Sequence, residues 1–171
     1  CVVGGAGFIG STLVGRLLAE ERVDRVVVLD NLSSGSREML GESLGDSRVD
    51  LIVGDCGDPE VSSRALEGVD VVVHLASNPD IARAVTEPEI DFSSGTLLTN
   101  SVVEAARTQG VNTIVYASGS GVYGDLGDLE IPEDHGPLRP VSTYGASKLA
   151  GEALVCAYSH MFGLRGRAFR F

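Results

Sequence analysis

Positive charge is scarce in this sequence. Of its 171 residues, 13 are lysine or arginine against 24 aspartate or glutamate, a formal net charge of −11. That balance repels phosphate backbones and leaves no basic stripe, which excludes a nucleic-acid partner. The acidity fits either high solubility or adaptation to salt. Long apolar runs are missing too. Stretches such as Val26 to Leu29 and Val71 to Val73 fall far short of the roughly 20 residues that span a bilayer, so no membrane segment is expected. Cysteine is limited to Cys1, Cys56 and Cys156, an odd number, scattered, with no CxxC pair and no flanking histidine. Such spacing suggests no metal site, and a reducing, cytoplasmic compartment fits best. Internal repeats and low-complexity tracts are absent.

What is present is ordinary globular composition, 43% hydrophobic and 22% charged. One domain over residues 1–171 is expected. Neither end reads as a natural terminus. Only Val2 and Val3 separate Cys1 from a glycine loop, and Arg167 to Phe171 reads as a strand with nothing after it. The expectation is a fragment, truncated before a substrate-binding part.

Apolar runs of strand length alternate with longer segments of helical period. Strands are predicted at Val2–Val3, Val26–Leu29, Val49–Val53, Val71–Leu75, Thr113–Ala117 and Gly166–Phe171. Helices are predicted at Phe8–Glu20, Pro59–Leu66, Ile90–Thr108 and Ser142–His160. Most of the strands are valine-rich without alternation, as parallel strands buried on both faces are. Right-handed crossovers then place helices on both sides of one sheet. The predicted fold is α/β, a doubly wound parallel sheet. The stretch from Gly124 to Pro140 is the one long irregular connection, and such loops often border a substrate.

Val2-Val3 leads into Gly4-Gly5-Ala6-Gly7-Phe8-Ile9-Gly10, with glycines at 4, 7 and 10 between a strand and a helix. Glycines there permit a tight turn and let backbone N–H groups at the helix start approach a pyrophosphate. A glycine pattern alone can merely join a strand to a helix. Here Asp30 stands at the end of the second strand, where an acid that binds the ribose hydroxyls of a dinucleotide is expected. A carboxylate at that place repels an added 2′-phosphate, so NAD is favoured over NADP.

Tyr144-Gly145-Ala146-Ser147-Lys148 puts a phenol and an ammonium four residues apart on one helical face. A free phenol ionises near pH 10, so base chemistry near neutrality requires about 4 kcal/mol. A unit positive charge about 4 Å away supplies roughly that much at an intermediate dielectric. Tyr-x-x-x-Lys also occurs by chance on helix surfaces. Against chance, Lys148 is the only lysine in the chain, kept where a compact ammonium suits a nucleotide ribose and a neighbouring phenol better than a planar guanidinium. The histidines His74, His135 and His160 read as strand-end, loop and helix residues.

Taken together, these motifs resemble the extended short-chain dehydrogenase/reductase family, in particular its NAD-dependent nucleotide-sugar epimerases and dehydratases. The stretches that carry the resemblance are Gly4 to Ser11, Val28 to Leu32 with Ser33 to Gly35, Gly54-Asp55, His74 to Ala76, Asn78-Pro79-Asp80, Val122-Tyr123-Gly124 and Tyr144 to Lys148. UDP-glucose 4-epimerase-like members match best. The resemblance implies a Rossmann-type NAD-binding fold, with Phe8 and Ile9 beside the pyrophosphate. It puts Asp30, Asn31, Leu32, Ser33, Ser34 and Gly35 around the adenosine ribose, and Asp55 and Cys56 beside adenine. Leu75, Ala76 and Ser77 would line the nicotinamide side, and Tyr144 and Lys148 would be the catalytic pair. A nucleotide-sugar substrate and a homodimer are implied as well.

Two positions depart from the family pattern. Gly119 stands where a serine or threonine usually orients the reacting sugar hydroxyl, and Gly95 stands where asparagine is common. Ser118 and Ser120 flank the first gap, and Ser120 is the preferred substitute because a glycine lies on each side of it. Dehydratases of the family carry acid groups just before Val-Tyr-Gly, where this chain has Ser120 and Gly121. Epimerisation is therefore expected first, with a nucleotide-sugar dehydratase or reductase of the same family, or a non-catalytic NAD-binding protein, as the alternatives.

Overall fold

The computed structural model describes all of residues 1–171. Six parallel strands form one sheet in the order β3-β2-β1-β4-β5-β6. They are β1 (Val2–Val3), β2 (Val26–Asp30), β3 (Val49–Val53), β4 (Val71–His74), β5 (Thr113–Ser118) and β6 (Arg165–Arg170). The order runs outward from β1 in one direction and then from β4 in the other. A crevice therefore opens between the carboxyl ends of β1 and β4, where the winding reverses.

Helices α1 (Phe8–Leu18) and α2 (Arg37–Leu40) cover one face of the sheet, and α3 (Pro59–Ala65), α5 (Leu98–Thr108) and α6 (Thr143–Phe162) cover the other. The apolar core divides the same way. Val14 and Leu40 pack on Val2, Val26 and Val28, while Ala65, Val102, Val103, Ala106 and Val155 pack on Val3, Val27, Leu29 and Ile114. Each fully buried valine or leucine contributes about 1.5–3 kcal/mol. No helix is long and apolar enough to cross a membrane.

Local chemistry sets the helix ends. Asp58 caps α3 through the N–H groups of Glu60 and Val61, with Pro59 at the first helical position. Gly163, at φ 76, closes α6 in the left-handed conformation.

Three expectations need correction. Unbroken burial holds for β1 and β2 only; β5 alternates, and the edge strands β3 and β6 are mostly half-buried or exposed because each has a neighbour on one side alone. The helix expected over 90–108 is interrupted: α4 (Glu89–Asp91) passes through a π-helical segment, Phe92–Leu97, before α5 begins. Short 3₁₀ turns at 41–45, 82–85 and 120–122 interrupt what read as loop.

Candidate active site

Gly4 leaves β1 at φ +81, and a Cβ there would stand 2.7 Å from the backbone nitrogen of Ala76. Only glycine lets the turn pass so close to the end of β4. Helix α1 then starts at Phe8, with Gly7 as a cap residue that has no side chain to offer. The N–H groups of its first turn are left to a ligand, and the helix dipole favours an anionic one.

The crevice beside this turn has a volume of about 480 Å³. Its walls include Gly4, Gly7, Phe8, Ile9 and Gly10 on one side and Asp30, Asn31, Ser33 and Ser34 on a second. Asp55 and Cys56 form a third wall, and Leu75, Ala76 and Ser77 a fourth. Leu29, Pro79, Ser94 and Leu98 also line it, and the sequence reading assigned none of them a role. Uncapped amides, close-approach glycines and a carboxylate at the end of β2 fit a dinucleotide.

Asp30 already holds two parts of this site. Its Oδ2 accepts the Ala6 N–H and its Oδ1 the Leu32 N–H, both at 2.8 Å. The first bond fixes the glycine turn, and the second draws Leu32 into a left-handed conformation at φ 59. Each carboxylate oxygen keeps a lone pair for a ribose hydroxyl. Leu32 and Gly35 do not line the crevice. Leu32 packs on the core, and a Cβ at Gly35 would lie 2.6 Å from the Ala6 carbonyl, so this glycine lets the 30–35 loop fold onto the glycine turn. Burial, aided by Asp55, pushes the Cys56 thiol up to about 12, which makes it an unreactive wall.

A second cleft adjoins the first and shares Ile9, Leu75 and Ser77 with it. Tyr144, Lys148, Ser118, Gly119, Ser120 and Ser142 line it. Ser142 caps α6 by accepting the Gly145 N–H at 3.0 Å, which places Tyr144 in the first turn and Lys148 one turn later. The ammonium of Lys148 donates to the Ala117 carbonyl at 2.9 Å and lies 5.2 Å from the Tyr116 ring centroid and 5.5 Å from that of Tyr144. Burial lowers Lys148 to about 8, so it is still mostly protonated near pH 7. Its other donor positions remain for a ligand hydroxyl.

The residues around the missing hydroxyl differ in placement. Ser118 is buried, and its Oγ has no aligned hydrogen-bond partner, although it sits close enough to Glu152 to favour the carboxylate. Ser120 is exposed and starts the 120–122 turn, its N–H bonded to the Phe171 carbonyl at 2.8 Å. Gly119 is extended, at φ −163, and a Cβ there would meet nothing nearer than the Phe171 carbonyl at 4.0 Å. A side chain therefore fits at 119. Gly95 is the opposite case: a Cβ would lie 2.6 Å from Ser147 Oγ, so its glycine follows from the close approach of the π-helical segment to α6.

One buried carboxylate was not anticipated. Asp91, 1% exposed, accepts from Asn78 Nδ2 and from Thr143 Oγ1, each at 2.7 Å. It ties the turn after β4 to the residue that precedes Tyr144. Asn78-Pro79-Asp80 was a recognised stretch, but nothing local linked it to a partner 13 residues away.

Comparison with known proteins places this geometry. A family model described as the NAD dependent epimerase/dehydratase family matches residues 1–171. UDP-glucose 4-epimerase of Mycolicibacterium smegmatis is 38% identical over 165 residues, which is 95% of this chain and 52% of that protein. Among solved structures, a double mutant of the dTDP-glucose 4,6-dehydratase DesIV of Streptomyces venezuelae, with NAD bound, superposes at TM-score 0.93 with 34% identity. UDP-glucose 4-epimerase of Thermus thermophilus, in complex with NAD, does so at 0.88 with 37% identity. The two superpositions cover 99% of this chain and 54% and 53% of those chains. The chain thus spans about half the length of the relatives it matches.

Proposed function

Because the chain belongs to the NAD dependent epimerase/dehydratase family, we propose that it is the NAD-binding half of an enzyme that epimerises a nucleotide-activated hexose, interconverting UDP-glucose and UDP-galactose through a transient keto-sugar. The observation that carries this reading is the pairing of Tyr144 with Lys148 in a cleft that opens directly onto the dinucleotide crevice. Ser120 and Gly121, which also line that cleft, offer no acid group for the removal of water.

NAD, held along the first turn of α1 and by Asp30, supplies a hydride acceptor and donor. The remaining work falls to side chains of this chain. Tyr144 takes the proton of the reacting sugar hydroxyl and later returns it. Lys148 stabilises the negative charge that develops on the phenol oxygen and binds a ribose hydroxyl. Leu75 and Ala76 give the site an apolar wall that keeps water from the reacting carbon. Proton and hydride each return to the sugar, so no net oxidation results. Ser120 orients the hydroxyl in place of the residue missing at 119.

The complete protein incubated with UDP-glucose should yield UDP-galactose of unchanged mass. A product lighter by one water would replace this reading with dehydration. The open space at Gly119 supports a further expectation. Ser120→Ala should lower kcat about tenfold, near 1.4 kcal/mol of barrier, and Gly119→Thr added to that variant, where a Cβ has open space, should restore it. Steady-state kinetics on the two variants decide this, and an unchanged kcat in Ser120→Ala would mean that Ser120 does not orient the hydroxyl.

A further inference from the structure

The irregular connection from Gly124 to Val141 carries Asp125, Asp128, Glu130, Glu133 and Asp134 against one arginine, Arg139, and one histidine, His135. Its two ends are walls of the catalytic cleft, Ser120 and Gly121 before it and Ser142 after it. Between those ends, one hydrogen bond ties residues 125–139 to the rest of the chain: Arg170 Nη1 donates to the Glu133 carbonyl at 3.3 Å.

The same guanidinium reaches two further elements. Its Nε and Nη2 donate to the two carboxylate oxygens of Glu152 at 2.8 and 2.7 Å, and Nη1 also donates to the Tyr123 hydroxyl at 3.1 Å. The cation lies 4.9 Å from the centroid of the Tyr123 ring. Glu152 follows Lys148 and Tyr144 at four and eight residues on α6, so the three share a face of the helix. The pair is bidentate and charge-assisted, and its side chains, 23% and 12% exposed, are the least exposed of the ion pairs in the fold. A lysine, with three donors on one nitrogen, cannot reproduce the bidentate pair and the two further hydrogen bonds that Arg170 makes.

We propose that Arg170 is a positioning residue: it latches the 125–139 loop and the 120–123 turn to the face of α6 that carries Tyr144 and Lys148, and so sets the sugar-side wall of the cleft. This rests on the nucleotide-sugar reading above. No hydrogen bond joins Ser120 to Tyr144; Ser120 is held by its N–H bond to the Phe171 carbonyl, by the close approach of Gly121 to Gly145, and by Tyr123 and Arg170.

The test uses the complete, NAD-loaded protein with Arg170→Lys and with Tyr123→Phe, which keeps the Glu152 pair and stands in if the first variant fails to fold. Two readouts are taken: the rate of cleavage at Glu130 and Glu133 by a glutamate-specific protease, relative to cuts elsewhere, and KM for UDP-glucose beside NAD affinity. Arg170→Lys should raise loop cleavage and KM each by about tenfold, the worth of one or two charge-assisted hydrogen bonds, with NAD affinity unchanged. Tyr123→Phe should move both in the same direction by less. A purely structural role would lower thermal stability and leave KM alone. Loop cleavage and KM both equal to wild type in whichever variant folds overturn the proposal. If the wild type turns over no nucleotide sugar, the enzymatic reading fails, and the loop cleavage still decides whether Arg170 is a latch.

Discussion

Replacing Tyr144 with phenylalanine should lower turnover of the nucleotide sugar at least about a thousandfold, within the range for loss of a general base, while NAD affinity stays within about twofold. The selectivity follows from where the hydroxyl sits. Tyr144 lines the sugar-side cleft and not the dinucleotide crevice, and it occupies the first turn of a helix whose start is fixed by the Ser142 cap and the Asp91–Thr143 bond. The substitution removes one oxygen and leaves the ring, the cap and the lysine contact to Ala117 in place. Paired calorimetry and turnover assays provide the check. Retention of more than about a tenth of wild-type turnover, a barrier change under about 1.4 kcal/mol, would transfer the proton step to another group.

A second large effect is expected in acid. His74, fully buried at the end of β4, has Nε2 within 3.1 Å of Thr99 Oγ1 and no partner for Nδ1. Burial, with the nearby Lys148 charge, lowers it to about 3 from an ordinary 6.5. The folded state therefore binds fewer protons than the unfolded chain between those two values. By linkage, the stability from keeping His74 neutral is complete above about pH 6.5 and is lost as pH falls toward 3. At about 1.4 kcal/mol per pH step, the loss between about pH 6.5 and 4 is about 3 kcal/mol. His74→Gln, which keeps a polar atom for Thr99, should abolish that part of the slope in urea unfolding followed against pH. Parallel curves for the two proteins would show that protonation of this ring is not linked to unfolding. Neutral His74 also leaves Lys148 as the one cation beneath the Tyr144 ring.

Much of this was readable from local chemistry. Valine runs alternating with amphipathic segments specify parallel strands and crossovers, and a strand, a glycine turn and Asp30 in that order specify where a dinucleotide lies. Tyr144 and Lys148 share a face by helical spacing alone. What local pattern does not carry is contact between distant residues. Asp91 meets Thr143 across 52 positions, and Arg170 meets Tyr123 across 47. The same limit explains the two glycines. At 95 the reason is the neighbouring helix, and at 119 no neighbour requires glycine at all. The π-helical segment at 92–97 lies where the apolar spacing matches an unbroken helix, and only the fold brings its Gly95 against Ser147. Edge burial was missed because valine and isoleucine occur in β3 as they do in the centre, while only the sheet order decides which strands have two neighbours.

We propose that this chain forms the cofactor half of an epimerase in which hydride leaves and re-enters the same sugar carbon beside Tyr144. The most direct test is the fate of a label. The complete protein is given UDP-glucose carrying deuterium at C4, and the product is analysed by NMR. UDP-galactose with the deuterium still at C4 is the expected product, whereas deuterium on another carbon, or its loss to solvent, would contradict epimerisation at C4.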